Sequence, residues 1–255
     1  MKQIFFLVAF LCVTSFLFMN FAFADLLFDG NWMTTATPQM IESEIWKGAD
    51  VNARDARGVT PLMIAAMVNQ NPKVIETLIK QGANINTRDA RGITPLMWAA
   101  GFNTPEVIET FINNGVNINT RDEDGVTPLV WALMYNQPPR ITEMLILNGS
   151  DVNAKDKTGA TPLIWAAEFN QHPEIIDLLV EYGADIKARD KNGLTLLMSA
   201  AKRNKNPKII ETLIKHGAEV DPKGVYGKTA LEYAKENPYI YRTDAYWLLN
   251  DKSFK

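Results

Sequence analysis

GANINTRDARGITPLMWAAGFNTPEVIETFINNG, residues 82–115, decides the fold. Thr94-Pro95 precedes the apolar run Leu96 to Ala100, and Thr104-Pro105 precedes Val107-Ile108 and Phe111-Ile112. A threonine oxygen at an N-cap accepts an otherwise orphaned helix amide, and proline at the first helical position lacks only an N–H that would have no partner there. Each Thr-Pro pair therefore predicts a helix start. Gly82 and Gly115 suit the position just past a helix end, where the backbone turns left-handed. Between Gly82 and Gly92 lies a short extended segment and a polar turn. The stretch thus reads as finger, helix, turn, helix.

The same reading repeats outward in both directions. GVTPLMIAA begins at Gly58, GVTPLVWAL at Gly125, GATPLIWAA at Gly159, GLTLLMSAA at Gly193 and GKTALEYAK at Gly227. The threonines Thr60, Thr94, Thr127, Thr161, Thr195 and Thr229 are spaced 34, 33, 34, 34 and 34 residues. Pro38, Pro72, Pro105, Pro139, Pro173 and Pro207 keep the same beat, as do Gly48, Gly82, Gly115, Gly149, Gly183 and Gly217. A fixed period in this range marks a stacked architecture in which neighbouring units bury one another's apolar faces. Asn71, Thr104 and Asn206 are expected to cap the second helices, whose i, i+1, i+4, i+5 apolar spacing (Ile209, Ile210, Leu213, Ile214) makes one buried stripe. Paired alanines such as Ala99-Ala100 let first helices approach closely.

These residues resemble the ankyrin repeat, over roughly residues 36 to 235. The resemblance implies an all-α repeat solenoid, an ankyrin-repeat array in which each unit is helix-turn-helix plus a β-hairpin-like finger. The chain divides into 1–24, a leader; 25–53, a partial repeat; 54–222, five full repeats; and 223–255, a capping repeat. It departs from the family where Met63, Met97, Val130, Ile164, Met198 and Glu232 replace the usual histidine, so packing between units is expected to be more apolar. Terminal units need a wettable outer face. Trp247, in the closing aromatic segment, is expected to cover the last core layer.

Residues 1–24 combine Lys2, an apolar run from Ile4 to Met19 and the small-x-small Ala22-Phe23-Ala24, which reads as a signal peptide cleaved after Ala24. The alternative is an uncleaved anchor, since this length approaches a bilayer span. Cleavage also removes Cys12, the only cysteine, which suits an oxidising compartment. A bacterial periplasmic protein is the expectation, with secretion as the runner-up. The full chain carries 26 basic and 29 acidic residues, net −3, which favours neither nucleic acid nor an anionic membrane surface.

No catalytic constellation emerges: His172 and His216 stand alone, and no thiolate metal cluster can be built. Asp55, Asp89, Asp122, Asp156 and Asp190 recur once per unit and read as turn closures, their carboxylates accepting backbone amides. No enzyme, cofactor or metal is expected. Trp98, Trp131 and Trp165 read as core, each burying on the order of 200 Å² or roughly 5 kcal/mol of apolar transfer.

The family resemblance places partner contacts on a concave face lined by fingers and first helices. In this sequence it selects Val59, Ile93 and Val126 after the finger glycines, Val68, Phe102, Tyr135 and Phe169 on the first helices, and Arg57, Arg91 and Asp124 at fingertips. Two readings of the three rings stay open: an exposed ladder that engages a partner, or a lid over the first helices' own core. The expected function is a monomeric scaffold binding a protein partner, with a small-ligand or sugar-binding module and a structural spacer as alternatives.

Overall fold

The computed structural model describes residues 26–220, 224 and 227–252. The expected leader, the boundary drawn at residue 222 and the chain's last three residues lie outside them. A 3-10 turn, Leu26–Phe28, opens the described chain. The first helices of successive units are α1 (Gly30–Thr35), α3 (Pro61–Val68), α5 (Pro95–Phe102), α7 (Pro128–Met134), α9 (Pro162–Phe169), α11 (Leu196–Arg203) and α13 (Ala230–Glu236). The second helices are α2 (Pro38–Trp46), α4 (Pro72–Lys80), α6 (Pro105–Asn113), α8 (Pro139–Leu147), α10 (Pro173–Glu181), α12 (Pro207–Lys215) and α14 (Asp244–Lys252). First helices pack on first helices along the array, and second helices pack on second. One continuous core, from Leu27 to Leu249, runs between the two layers.

Local chemistry sets the helix starts. The hydroxyls of Thr60, Thr94, Thr127, Thr161, Thr195 and Thr229 each accept the backbone amide three residues on. Asn71 and Asn206 cap their second helices through the amides of Lys73 and Lys208. Thr104 does not form the expected cap. The unit that contains it is one residue shorter, so Thr104 directly follows Asn103, whose Oδ1 accepts the Thr104 amide at 2.8 Å. The glycines past the second helices turn left-handed, for example Gly82 at φ 93° and Gly115 at φ 74°.

The β-hairpin-like finger is the expectation that the structure overturns. Among the described residues there is no β-strand, only an isolated bridge between Arg189 and Thr195. The reason is the finger aspartate. Asp55 Oδ1 accepts the amides of Arg57 and Val59 at 2.8 and 2.9 Å, and the Val59 amide is the one a hairpin ladder would pair with the Asp55 carbonyl. What crosses the finger is the pair Asp55 N to Val59 O and Gly58 N to Asp55 O, and a single backbone–backbone bond, Ala90 N to Arg57 O at 2.8 Å, joins it to the next finger. The same carboxylate-closed turn recurs at Asp89, Asp122, Asp156 and Asp190. The units are helix-turn-helix joined by polar turns.

Adjacent units are joined by buried side-chain amides just beyond each first helix. Asn69 Nδ2 donates to the carbonyls of Met33 and Ala36, and Asn103 Nδ2 to those of Ala66 and Asn69, at 2.6 to 3.0 Å. Asn204 and Asn237 repeat the double bond to their preceding units, and Asn170 reaches Leu133 O at 3.4 Å. One unit departs from the pattern. There α7 stops at Met134, Asn136 adopts φ 57°, and the longer Gln137 reaches the Gly101 carbonyl at 2.6 Å.

Trp247 does not cover the last core layer; it is 51% exposed. Ile240, Ala245, Tyr246 and Leu249 close that layer instead, and Trp247 packs edge-on against Tyr246 with centroids 5.0 Å apart. Among the described residues no helix is long and apolar enough to cross a membrane.

Replacing Asn103 by alanine orphans two carbonyls that solvent cannot reach, at about 1–3 kcal/mol per unsatisfied group. Asn103→Ala is expected to lower the urea midpoint clearly, while Gln70→Ala on the exposed turn leaves it in place; equal midpoints for Asn103→Ala and wild type would contradict the linking role.

Candidate interaction surface

Val68, Phe102, Tyr135 and Phe169 come at one register position, at the ends of α3, α5 and α9 and just after α7. All four are half-buried and pack against the core. The rings are neither a free ladder nor a sealed lid. Phe102 and Tyr135 lie 4.3 Å apart at 47°, each resting on the tryptophan of its own helix, with Trp98–Phe102 at 5.8 Å and Trp131–Tyr135 at 5.5 Å. Trp98 and Trp131 meet edge-on at 5.4 Å. These four rings form one tilted cluster of the kind aromatic quadrupoles favour. Trp165 and Phe169 stack as a pair at 5.5 Å. Beside Phe169 the buried Glu168 carboxylate pairs with Arg203 at 2.7 Å.

Gly101 makes the cluster possible. A Cβ there would lie 3.0 Å from Tyr135 Cδ2 and 3.3 Å from Trp131 Cε3, so the two rings occupy the space a side chain would take.

The tryptophans are core, as expected from their spacing. Two also bind the fingers: Trp131 Nε1 donates to Asp122 Oδ2 at 3.3 Å and Trp165 Nε1 to Asp156 Oδ2 at 2.9 Å. One aspartate therefore closes its turn with one oxygen and holds the ring platform with the other. Sequence reasoning missed this second task, although the constant nine-residue Asp–Trp separation was its signal. Trp98 Nε1 is buried and has no hydrogen-bond partner among the described residues.

Burial raises the Asp122 pKa above the usual 3.8, against the lowering effect of its hydrogen bonds from Val126, Trp131 and Asp124. Asp124 in the same finger raises it further through like charge.

The remaining expected contact residues separate into two groups. Val59, Ile93 and Val126 are buried and offer a partner little side-chain surface. Arg57 and Asp124 are exposed and Arg91 is half-exposed, with Arg57 held by Asp55 in its own finger at 3.1 Å. The structure brings Phe102 and Tyr135 together and leaves Phe169 in a separate stack. His216 Nε2 lies 2.6 Å from Asp177 Oδ1, between α12 and α10. Among the described residues no group of three or more His, Cys, Asp or Glu side chains converges as a metal site would need.

Because folding raises the Asp122 pKa, the native state holds that proton more tightly than the unfolded chain. Its contribution to stability is complete below the unfolded value and is lost as pH rises through the folded value. An NMR titration should place the Asp122 carboxyl above 3.8, with the Trp131 indole N–H shifting at the same midpoint. A midpoint at or below 3.8 would contradict the burial described.

With this geometry established, comparisons with known proteins are specific. The family profile described as "Ankyrin repeats (3 copies)" matches residues 35–122, 62–156, 101–190 and 163–253. Among solved structures, the ankyrin-repeat domain of human ASB11 aligns with a TM-score of 0.73 at 20% identity, covering 89% of this chain and 97% of that one. That degree of identity speaks to the fold. No curated protein matches the chain.

Proposed function

Because this chain belongs to the ankyrin-repeat family, we propose that it is a non-catalytic scaffold that binds a protein partner through its first helices and fingers, the concave face expected of the array. The observation that carries the reading is the half-exposed ring cluster of Phe102 and Tyr135, seated on two buried tryptophans and a glycine kept clear for them. Rigid, amphipathic aromatics on a fixed platform lose little entropy on binding and dominate interface hot spots. A sugar platform is less well served, since Phe102 and Tyr135 turn toward each other at 4.3 Å instead of presenting one flat face.

Export belongs to the same proposal. The leader at residues 1–24 supports it, directing the mature chain to a periplasmic site of action as a monomer.

Two experiments test these statements. In quantitative affinity capture from envelope extract, a protein retained by the mature chain should fall at least tenfold with a Phe102→Ser, Tyr135→Ser, Phe169→Ser variant whose helical circular dichroism is intact. Equal retention would contradict the ring surface. N-terminal sequencing of the protein from its producing cell should begin at Asp25; a chain still carrying Met1 would contradict cleavage.

A further inference from the structure

The residue before each finger aspartate is Arg54, Arg88, Arg121, Lys155 and Arg189 in successive units. Three of these guanidinium groups reach the next finger in series. Arg54 donates to the Arg88 carbonyl at 2.9 Å and to Thr87 Oγ1 at 2.7 Å, Arg88 donates to the Arg121 carbonyl, and Arg121 to the Lys155 carbonyl at 2.6 Å. Gly92 keeps the path open, because a Cβ there would sit 2.7 Å from the Arg88 guanidinium. Hydrogen bonds to neutral oxygens fix a guanidinium in place and leave its charge uncancelled.

Arg189 shows what cancellation looks like. It meets Glu219 of the next unit at 2.6 Å, and the positions equivalent to Glu219 facing Arg54 and Arg88 are Asn84 and Asn117. Facing Arg121 is Asp151, whose Oδ1 accepts the Asn153 amide; among the described residues no ion pair joins Asp151 to Arg121. A chain of net charge −3 thus holds three like charges in a row, one repeat apart. Packed helices stand roughly 8–10 Å apart, near the physiological screening length, so neighbouring cations still repel one another.

A polyproline II segment advances about 9.3 Å per three-residue turn, which matches that spacing, and every third side chain falls on one edge. Aromatic-lined grooves accept such segments because the proline rings pack on ring faces and little entropy is lost. We infer that Arg54, Arg88 and Arg121 form a rail for an acidic, proline-rich partner segment, with a carboxylate at every third residue on the rail and proline rings against Val68, Phe102 and Tyr135. This rests on the protein-binding reading above and names the chemistry of that partner.

Fluorescence anisotropy with labelled (Pro-Pro-Glu)5, (Pro-Pro-Gln)5 and single-stranded polyuridylate tests the inference on the mature chain. The glutamate peptide should bind at least tenfold more tightly than the glutamine peptide and weaken as salt rises. Arg54→Gln, Arg88→Gln and Arg121→Gln together should abolish that preference, while the three corresponding lysine substitutions, which keep the charge but not the fork, should retain it within about threefold. The lysine variant and the salt series on the wild type keep the test intact if the glutamine variant does not fold. Equal binding of the two peptides, tighter binding of polyuridylate, or no binding of either peptide overturns the inference. If a captured protein is still lost on mutating the three rings, the protein-binding reading stands and only the acidic rail fails.

Discussion

A side-chain amide just beyond each first helix from α3 onward donates to the backbone of the unit before it, and the rest of the array depends on that link. A helix end leaves carbonyls without intrahelical partners, and in a stacked array water cannot reach them. Asn69, Asn103, Asn204 and Asn237 satisfy those carbonyls and at the same time fix the displacement from one unit to the next. Apolar packing alone is non-directional, so it would bury the same area over a range of offsets. The amides select one offset. With it set, the fingers come into register and arginines one repeat apart can reach successive carbonyls.

The ring cluster follows from the same register. Trp98 and Trp131 sit one unit apart and meet edge-on, and the space over Gly101 is filled by Tyr135 from the following unit. The finger aspartates Asp122 and Asp156 then tie two of the tryptophans to the turns. A partner that touches the rings therefore meets groups held from the core, the neighbouring unit and the finger together.

Much of this was legible in the sequence because its signals are local. The threonine caps of the first helices, the prolines behind them and the left-handed glycines depend only on residues a few positions apart, and these act as their types require. What the sequence concealed depends on competition for the same amide. The β-hairpin finger does not form because the Asp55 carboxylate takes the Val59 amide, which the ladder would have paired with the Asp55 carbonyl. The linking asparagines went unread because a lone polar residue after a helix looks like an ordinary cap until its partner, more than 30 residues away, is seen. At the surface, Val59, Ile93 and Val126, expected as partner contacts, are buried, and the carbonyl-bonded arginines were passed over for the fingertips.

The central claim is that recognition resides on the first helices and fingers and not on the second helices. Hydrogen–deuterium exchange of the protein with and without a partner captured by it tests it most directly. The account predicts added protection in the fingers between residues 54 and 125 and at the ends of α3, α5 and α7, with α4, α6 and α8 unchanged. Protection concentrated on α4, α6 and α8 would contradict it.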